Sequence, residues 1–254
     1  MKVLLAVLAC LALAACGTTP SAPPANERAQ VISSTPHDTG AFTEGLELDG
    51  TTLYEGTGLE GQSDVRVVDL ATGQVTKKAG LPDPMFGEGI TVVGDKLWQL
   101  TYKDGVAIQR DKNTLAEIKR ANYEGEGWGL CHDGSRLVMS NGTDQLTFRD
   151  PDTFAQVGTV TVRAKGDPVA MINELECTPD GIYANVWQTD TIIRIDPESG
   201  NVTASVDLAN LLTPEERGGA DVLNGIAAVP GTDEFLVTGK NWPKVFRVKF
   251  VTTQ

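Results

Sequence analysis

Short runs in which apolar and β-branched residues alternate with polar ones, each bounded by Gly, Asp or Asn, follow one another along most of the chain. Alternation with a period of two predicts strands that bury one face, and the Gly, Asp and Asn clusters predict tight turns between them. The first group of runs is Thr52–Glu55, Val65–Asp69 and Gly73–Thr76; the second is Lys96–Leu100, Val106–Ile108 and Ala116–Ile118. Arg136–Ser140, Gln145–Phe148 and Gln156–Val160 make a third, and Gly181–Trp187, Thr191–Asp196 and a run through Val206 a fourth. Glu234–Thr238 and Lys244–Val248 make the fifth. Leu208–Arg217 alone carries a helix signal, with Thr213-Pro214-Glu215-Glu216 as its start.

Each group follows a short frame: a polar or aromatic residue, then Gly (once Glu), then Leu or Ile. The copies are Glu44-Gly45-Leu46, Glu88-Gly89-Ile90, Trp128-Gly129-Leu130, Asn173-Glu174-Leu175 and Asn224-Gly225-Ile226, spaced by 44, 40, 45 and 51 residues. A period of about 40–50 residues built from short strands marks a β-propeller with one blade per repeat. Five copies therefore predict an all-β, five-bladed β-propeller. The first residues of the frames converge near the central channel, and Glu44, Glu88, Trp128 and Asn173 there describe a pocket rather than a core. The fifth group lacks an outer strand before Gln254, so the run Ala29–Ser34 is expected to complete that blade and close the ring from the N-terminus.

Ahead of the domain, residues 1–16 read as an export signal: Lys2, then the apolar stretch Val3–Ala12, which is too short to span a bilayer. Leu13-Ala14-Ala15-Cys16-Gly17 resembles the bacterial lipobox, in which Cys16 is lipidated; a secretory signal cut after Ala14 or Ala15 is the alternative. Residues 17–28 form a Pro/Ala/Thr-rich segment expected to be a disordered linker, and 29–254 the propeller domain. The protein is thus expected to be exported and lipid-anchored to the cell envelope, on its periplasmic or outer-surface side. A net charge of −13 and a pI near 4.6 argue against nucleic acid and against an anionic membrane surface, leaving membrane contact to the anchor alone. A monomer is expected.

Cys10 and Cys16 belong to the signal. Cys131 and Cys177 stand three and four residues after neighbouring frame starts, and in an oxidising exported setting such a pair is expected to form a disulfide. His37 and His132 are too few and too scattered for a His-rich zinc site.

Phe42-Thr43-Glu44-Gly45-Leu46, Phe86-Gly87-Glu88-Gly89, Gly127-Trp128-Gly129-Leu130, Asn173-Glu174-Leu175-Glu176, Ala184–Asp190, Leu223-Asn224-Gly225-Ile226 and Thr238–Lys244 together resemble the successive signatures of the plant-type and bacterial glutaminyl-peptide cyclotransferases. The resemblance runs from about His37 to Phe250 and keeps the order of the motifs. It implies a five-bladed propeller that converts an N-terminal glutamine into pyroglutamate with loss of ammonia. It further implies Glu88 as catalytic acid/base, Asn173 and Lys240 as polar catalytic partners, and Phe42, Glu44, Phe86, Tyr102, Trp128 and Trp187 as substrate-binding positions. Two positions depart: Glu44 stands where the papaya enzyme has glutamine, and Tyr102 where it has tryptophan. Glu44 thereby adds a second carboxylate able to compete for the proton-shuttle role.

The chemistry asks for a folded glutamine, a neutral amine and an acid that protonates the departing nitrogen. No cofactor is required for it, although a structural calcium in the central channel is considered. Two other functions fit a propeller. A metal-dependent, lactonase-like hydrolase would use Glu44, Glu88, Asn173 and Asn224 as calcium ligands. A non-catalytic binding propeller would use the same pocket without turnover.

Overall fold

The computed structural model describes residues 23–253; the expected export signal with Cys16, and the linker up to residue 22, lie outside the described residues. Among the described residues the chain is all-β apart from one 3₁₀ turn. It opens with β1 (Ala25–Pro36) and continues into a four-stranded sheet of β2 (Thr43–Asp49), β3 (Thr52–Thr57), β4 (Asp64–Val68) and β5 (Val75–Gly80). A second sheet holds β6 (Gly87–Val93), β7 (Lys96–Thr101), β8 (Val106–Asp111) and β9 (Glu117–Asn122). A third holds β10 (Leu130–His132), β11 (Leu137–Met139), β12 (Gln145–Arg149) and β13 (Gln156–Thr161). After the small hairpin β14 (Arg163–Ala164) and β15 (Asp167–Pro168), which the alternation does not signal, come β16 (Ile172–Thr178), β17 (Gly181–Val186), β18 (Thr191–Ile195) and β19 (Val202–Asp207). β20 (Leu223–Ala228), β21 (Glu234–Gly239) and β22 (Lys244–Thr252) finish the chain.

The last seven strands and β1 form one sheet, ordered β16-β17-β18-β19-β1-β22-β21-β20. β1 runs antiparallel to β22 from Glu27↔Thr252 to Pro36↔Lys244, and parallel to β19 from Ala25↔Ala204 to Arg28↔Asp207. This corrects the expected linker: the strand begins at Ala25, inside 17–28, because both of its edges find backbone partners. The expected outer strands Gly73–Thr76 and Ala116–Ile118 also start later, at Val75 and Glu117. An Asp holds the turn ahead of each: Asp69 Oδ1 accepts from the Thr72 amide and hydroxyl, both at 2.8 Å, and Asp111 does the same for Thr114. The 3₁₀ turn is Glu216–Gly218, and Thr213 and Glu216 cap it reciprocally, each side chain accepting from the other's amide.

Innermost in the sheets lie β2, β6, β10, β16 and β20; each packs against the next, and β20 against β2. The glycine of the repeated frame explains this approach. A Cβ on Gly45 would lie 2.6 Å from the Ile90 nitrogen, and one on Gly129 2.1 Å from the Asn173 oxygen. Glu174, the one frame residue that is not glycine, instead reaches across to accept the amides of Leu46 (3.2 Å) and Ile226 (2.8 Å). Apolar clusters join the sheets: Val138, Leu146 and Phe148 meet Leu175, Ile182 and Ile193, and Leu46, Leu48 and Leu53 meet Ala227, Leu236 and Val245, while Tyr183, Ile192 and Val206 meet Leu223, Phe235 and Phe246 across the two halves of the eight-stranded sheet. Burial of such a side chain contributes roughly 1.5–3 kcal/mol, so the inter-sheet faces hold the arrangement together. The expected disulfide is present, joining Cys131 on β10 to Cys177 on β16 with Cα atoms 5.4 Å apart.

Candidate active site

Three rungs of equivalent positions build one cavity. The first comprises the frame starts Glu44, Glu88, Trp128, Asn173 and Asn224. The second lies two residues earlier: Phe42, Phe86, Glu126, Met171 and Val222. The third follows the second strand of a hairpin, where one backbone bond recurs. Gly58 N–H donates to Phe42 O (2.8 Å), Tyr102 to Phe86 (2.9 Å), Trp187 to Met171 (2.8 Å) and Lys240 to Val222 (3.0 Å). Strand pairing thus brings side chains 16–18 residues apart within a repeat, and as far as Phe42 and Lys240 between repeats, to one mouth.

All nine positions expected to act on substrate, Phe42, Glu44, Phe86, Glu88, Tyr102, Trp128, Asn173, Trp187 and Lys240, line this cavity of about 390 Å³. Gln188, Asp221 and Val222 complete it. One side is a chain of rings, Phe42–Phe86–Tyr102–Trp128–Trp187, with neighbouring centroids 6.2, 5.8, 6.4 and 5.6 Å apart. Glycines make room for two of them: a Cβ on Gly58 of the third rung would strike the Phe86 ring at 2.4 Å, and one on Gly142, after β11, the Trp128 ring at 2.6 Å. Glu126 orients the Trp128 indole by accepting its Nε1–H at 3.0 Å.

The other side is polar. Lys240 Nζ donates to Glu44 Oε1 at 2.6 Å and stands 4.5 Å from the Phe42 ring centroid. Asn224 Nδ2 donates to Glu44 Oε2 at 3.2 Å and to Thr43 O at 3.0 Å. Glu88 and Asn173 are buried, yet Glu88 Oε2 and Asn173 Oδ1 meet no donor of the protein. Unpartnered buried oxygens cost free energy, and these two, unlike those of Glu55, Gln99 and Asn224, belong to residues that line the cavity, which marks them as open to a ligand. Burial raises the Glu44 carboxyl to about 7, against the pull of the Lys240 ammonium. Burial and the adjacent Glu44 charge raise Glu88 well above the ordinary carboxylic range. Of the two carboxyls, Glu88 is thus the one that holds its proton more strongly.

Among the described residues, no group of three or more His, Cys, Asp or Glu is arranged to hold a metal ion. The oxygens considered for calcium also face the Lys240 ammonium, so a cation placed there would meet a like charge.

The site is an aromatic cleft closing over two carboxyls of unequal proton affinity and a lysine, carried on a repeated β scaffold. The family described as Glutamine cyclotransferase matches residues 3–250, and this chain belongs to that family. The chain is similar to the glutaminyl-peptide cyclotransferase of Arabidopsis thaliana, at 40% identity over 225 residues, covering 87% of this chain and 70% of that protein. The crystal structure of Myxococcus xanthus glutaminyl cyclase superposes with a TM-score of 0.83 at 38% identity, covering 91% of this chain and all of that one. Kuenenia stuttgartiensis hydrazine synthase, at 18% identity and a TM-score of 0.50 over 85% of this chain and 64% of that one, shares the fold alone.

Proposed function

We propose that this chain is a glutaminyl-peptide cyclotransferase, converting the N-terminal glutamine of peptides or proteins to pyroglutamate with release of ammonia. The observation that carries this reading is Glu88: a buried carboxyl, neutral and with one unpartnered oxygen, at the head of an aromatic cleft. The rings would hold the glutamine side chain folded so that the α-amine meets the amide carbon, which raises their effective concentration. The amine, with an ordinary pKa near ~8, is partly neutral already. Amide ion is too basic to leave, so the departing nitrogen must take a proton, and Glu88 holds one. Asn173 and Lys240 supply polar contacts for the carbonyl oxygen and the peptide backbone.

The same proposal reads the scaffold as a five-bladed propeller. Three blades are the four-stranded sheets, the fourth is β16–β19, and the fifth is β20–β22 completed by β1, which would close the ring. The order of the strands and the contact of β20 with β2 support that count. We further propose a monomer, exported and tethered through lipidated Cys16. Replacing Cys16 with Ser should then move the protein from the membrane fraction to the soluble exported fraction, and an unchanged membrane fraction would refute the anchor.

The test of function is ammonia release from a Gln-initiated dipeptide by the wild-type protein, with the cyclised product identified by mass. Turnover in excess chelator is expected to match turnover without it. A protein that binds Gln-initiated peptides but releases no ammonia would instead be a binding propeller.

A further inference from the structure

We infer that catalysis uses two carboxyls rather than one: Glu44 takes the proton of the attacking α-amine, Glu88 gives a different proton to the departing amide nitrogen, and Glu44 then passes its proton to Glu88. This rests on the cyclotransferase reading and assigns the steps within it. The two side chains occupy the same rung on neighbouring inner strands, β2 and β6, and line the same cavity, close enough for the charge on Glu44 to raise the proton affinity of Glu88.

Their surroundings are unequal. Both Glu44 oxygens accept from positive or polar donors, Lys240 at 2.6 Å and Asn224 at 3.2 Å, whereas Glu88 Oε2 has none. A shared proton therefore rests on Glu88 and the charge on Glu44. A carboxylate next to a neutral acid is a base and an acid already in place, so neither has to swing between two nitrogens. Lys240 and Asn224 are the positioning residues of this pair, which gives the ammonium a task that does not require it to leave Glu44.

Atoms balance over one turnover. The N–Cδ bond forms as the amine N–H proton goes to Glu44; the Cδ–Nε bond breaks as the Glu88 proton goes to nitrogen, releasing NH3. Transfer from Glu44 to Glu88 restores the starting state without water or a cofactor. The titratable groups around the pair come from four places: Lys240 after β21, Asp221 ahead of β20, Glu126 ahead of β10, and the neutral Tyr123 hydroxyl after β9. With Glu44 at about 7, the base is half-ionised near neutrality, where a general base works best.

Glu44→Gln keeps the shape of the side chain and removes the base. It is expected to lower kcat by about 10²-fold or more and to remove the Glu44 contribution to the acid limb of the kcat–pH profile, leaving only that of the substrate amine. A peptide beginning with the γ-methyl ester of glutamate separates the two roles, because methanol departs with less proton assistance than ammonia. On that ester the Glu88→Gln deficit should shrink by at least about tenfold, while the Glu44→Gln deficit stays. Lys240→Met is the second variant, should Glu44→Gln not fold; removing the ammonium should move the acid limb up by about one pH unit or more. The relay is overturned if Glu44→Gln keeps kcat within about threefold of wild type with its acid limb intact. It is equally overturned if both Gln variants recover alike on the ester, or if Lys240→Met leaves the limb in place. Absence of ammonia release from the wild type would sink the cyclotransferase reading and the relay together.

Discussion

Five glutamates on the inner strands, four buried and Glu47 partly so, fall into two groups with opposite chemistry. Glu44 and Glu88 face the cavity; Glu47, Glu174 and Glu176 stand elsewhere on β2 and β16, and burial raises the proton affinity of all five. What separates them is the partner. Glu174 accepts the Leu46 and Ile226 amides, Glu176 the Ala228 amide at 3.1 Å, and Glu47 the Thr91 hydroxyl at 2.9 Å and the Val92 amide at 3.3 Å. The cavity pair has an ammonium, a side-chain amide and one oxygen without a donor. A carboxyl held by scaffold groups away from the cavity is a cross-strand tie, while Glu88 keeps a buried lone pair on the cavity wall and is available to a ligand. Burial alone therefore does not identify a catalytic acid; an open cavity in front of the carboxyl does.

The sharpest way to break this division is a crossed pair of variants. Glu88→Gln should lower kcat for a Gln-initiated peptide by about 10²–10⁴-fold and leave the melting temperature within a few degrees. Glu174→Leu should do the reverse, stranding two amides at a cost of about 2–6 kcal/mol, seen in denaturant unfolding, with kcat per folded molecule close to wild type. An early-melting Glu88→Gln with intact turnover would merge the two groups into one.

A smaller effect is read from pH. Glu47 rises to about 7 because burial disfavours its charged form, so the folded state holds a proton that the unfolded chain, titrating near ~4.3, gives up. Its contribution is complete below that lower value and is lost as pH rises through about 7. A shift of this size amounts to about 3 kcal/mol, or a fall in Tm of roughly 5–10 °C between pH 4 and pH 8. Glu47→Gln should flatten that slope; an unchanged slope would place the titration elsewhere.

Much of the site was legible because one frame marks it. Glu44, Glu88, Trp128 and Asn173 are frame starts, and Phe42 and Phe86 sit two residues ahead. The same offset from Asn224 points to Val222, and from Trp128 to Glu126, so both carried a signal that went unread. Asp221 and Gln188 had none: each lies in a connection beside a rung residue, and only the backbone path turns it toward the cavity. Lys240 needed the family resemblance, since its frame-like context is a strand end 16 residues beyond Asn224. Glu174 was legible as an exception to the glycine pattern, but not as a tie, because its two amide partners come from strands remote in the chain. For the fold, strand centres followed from alternation, whereas strand starts depended on the Asp-held turns. The early start of β1 depended on partners that alternation does not reveal.

That first strand has a consequence in time. β1 leaves the ribosome before any other strand described here, yet Glu27 pairs with Thr252, near the far end of the chain. At about 5–20 residues per second, the partner strand follows roughly 10–45 s later. Until then β1, with Val31 and Ile32 half-exposed even in the finished fold, is an open strand edge of the kind that invites mispairing. Its sheet is necessarily the last to be completed, however early the others form.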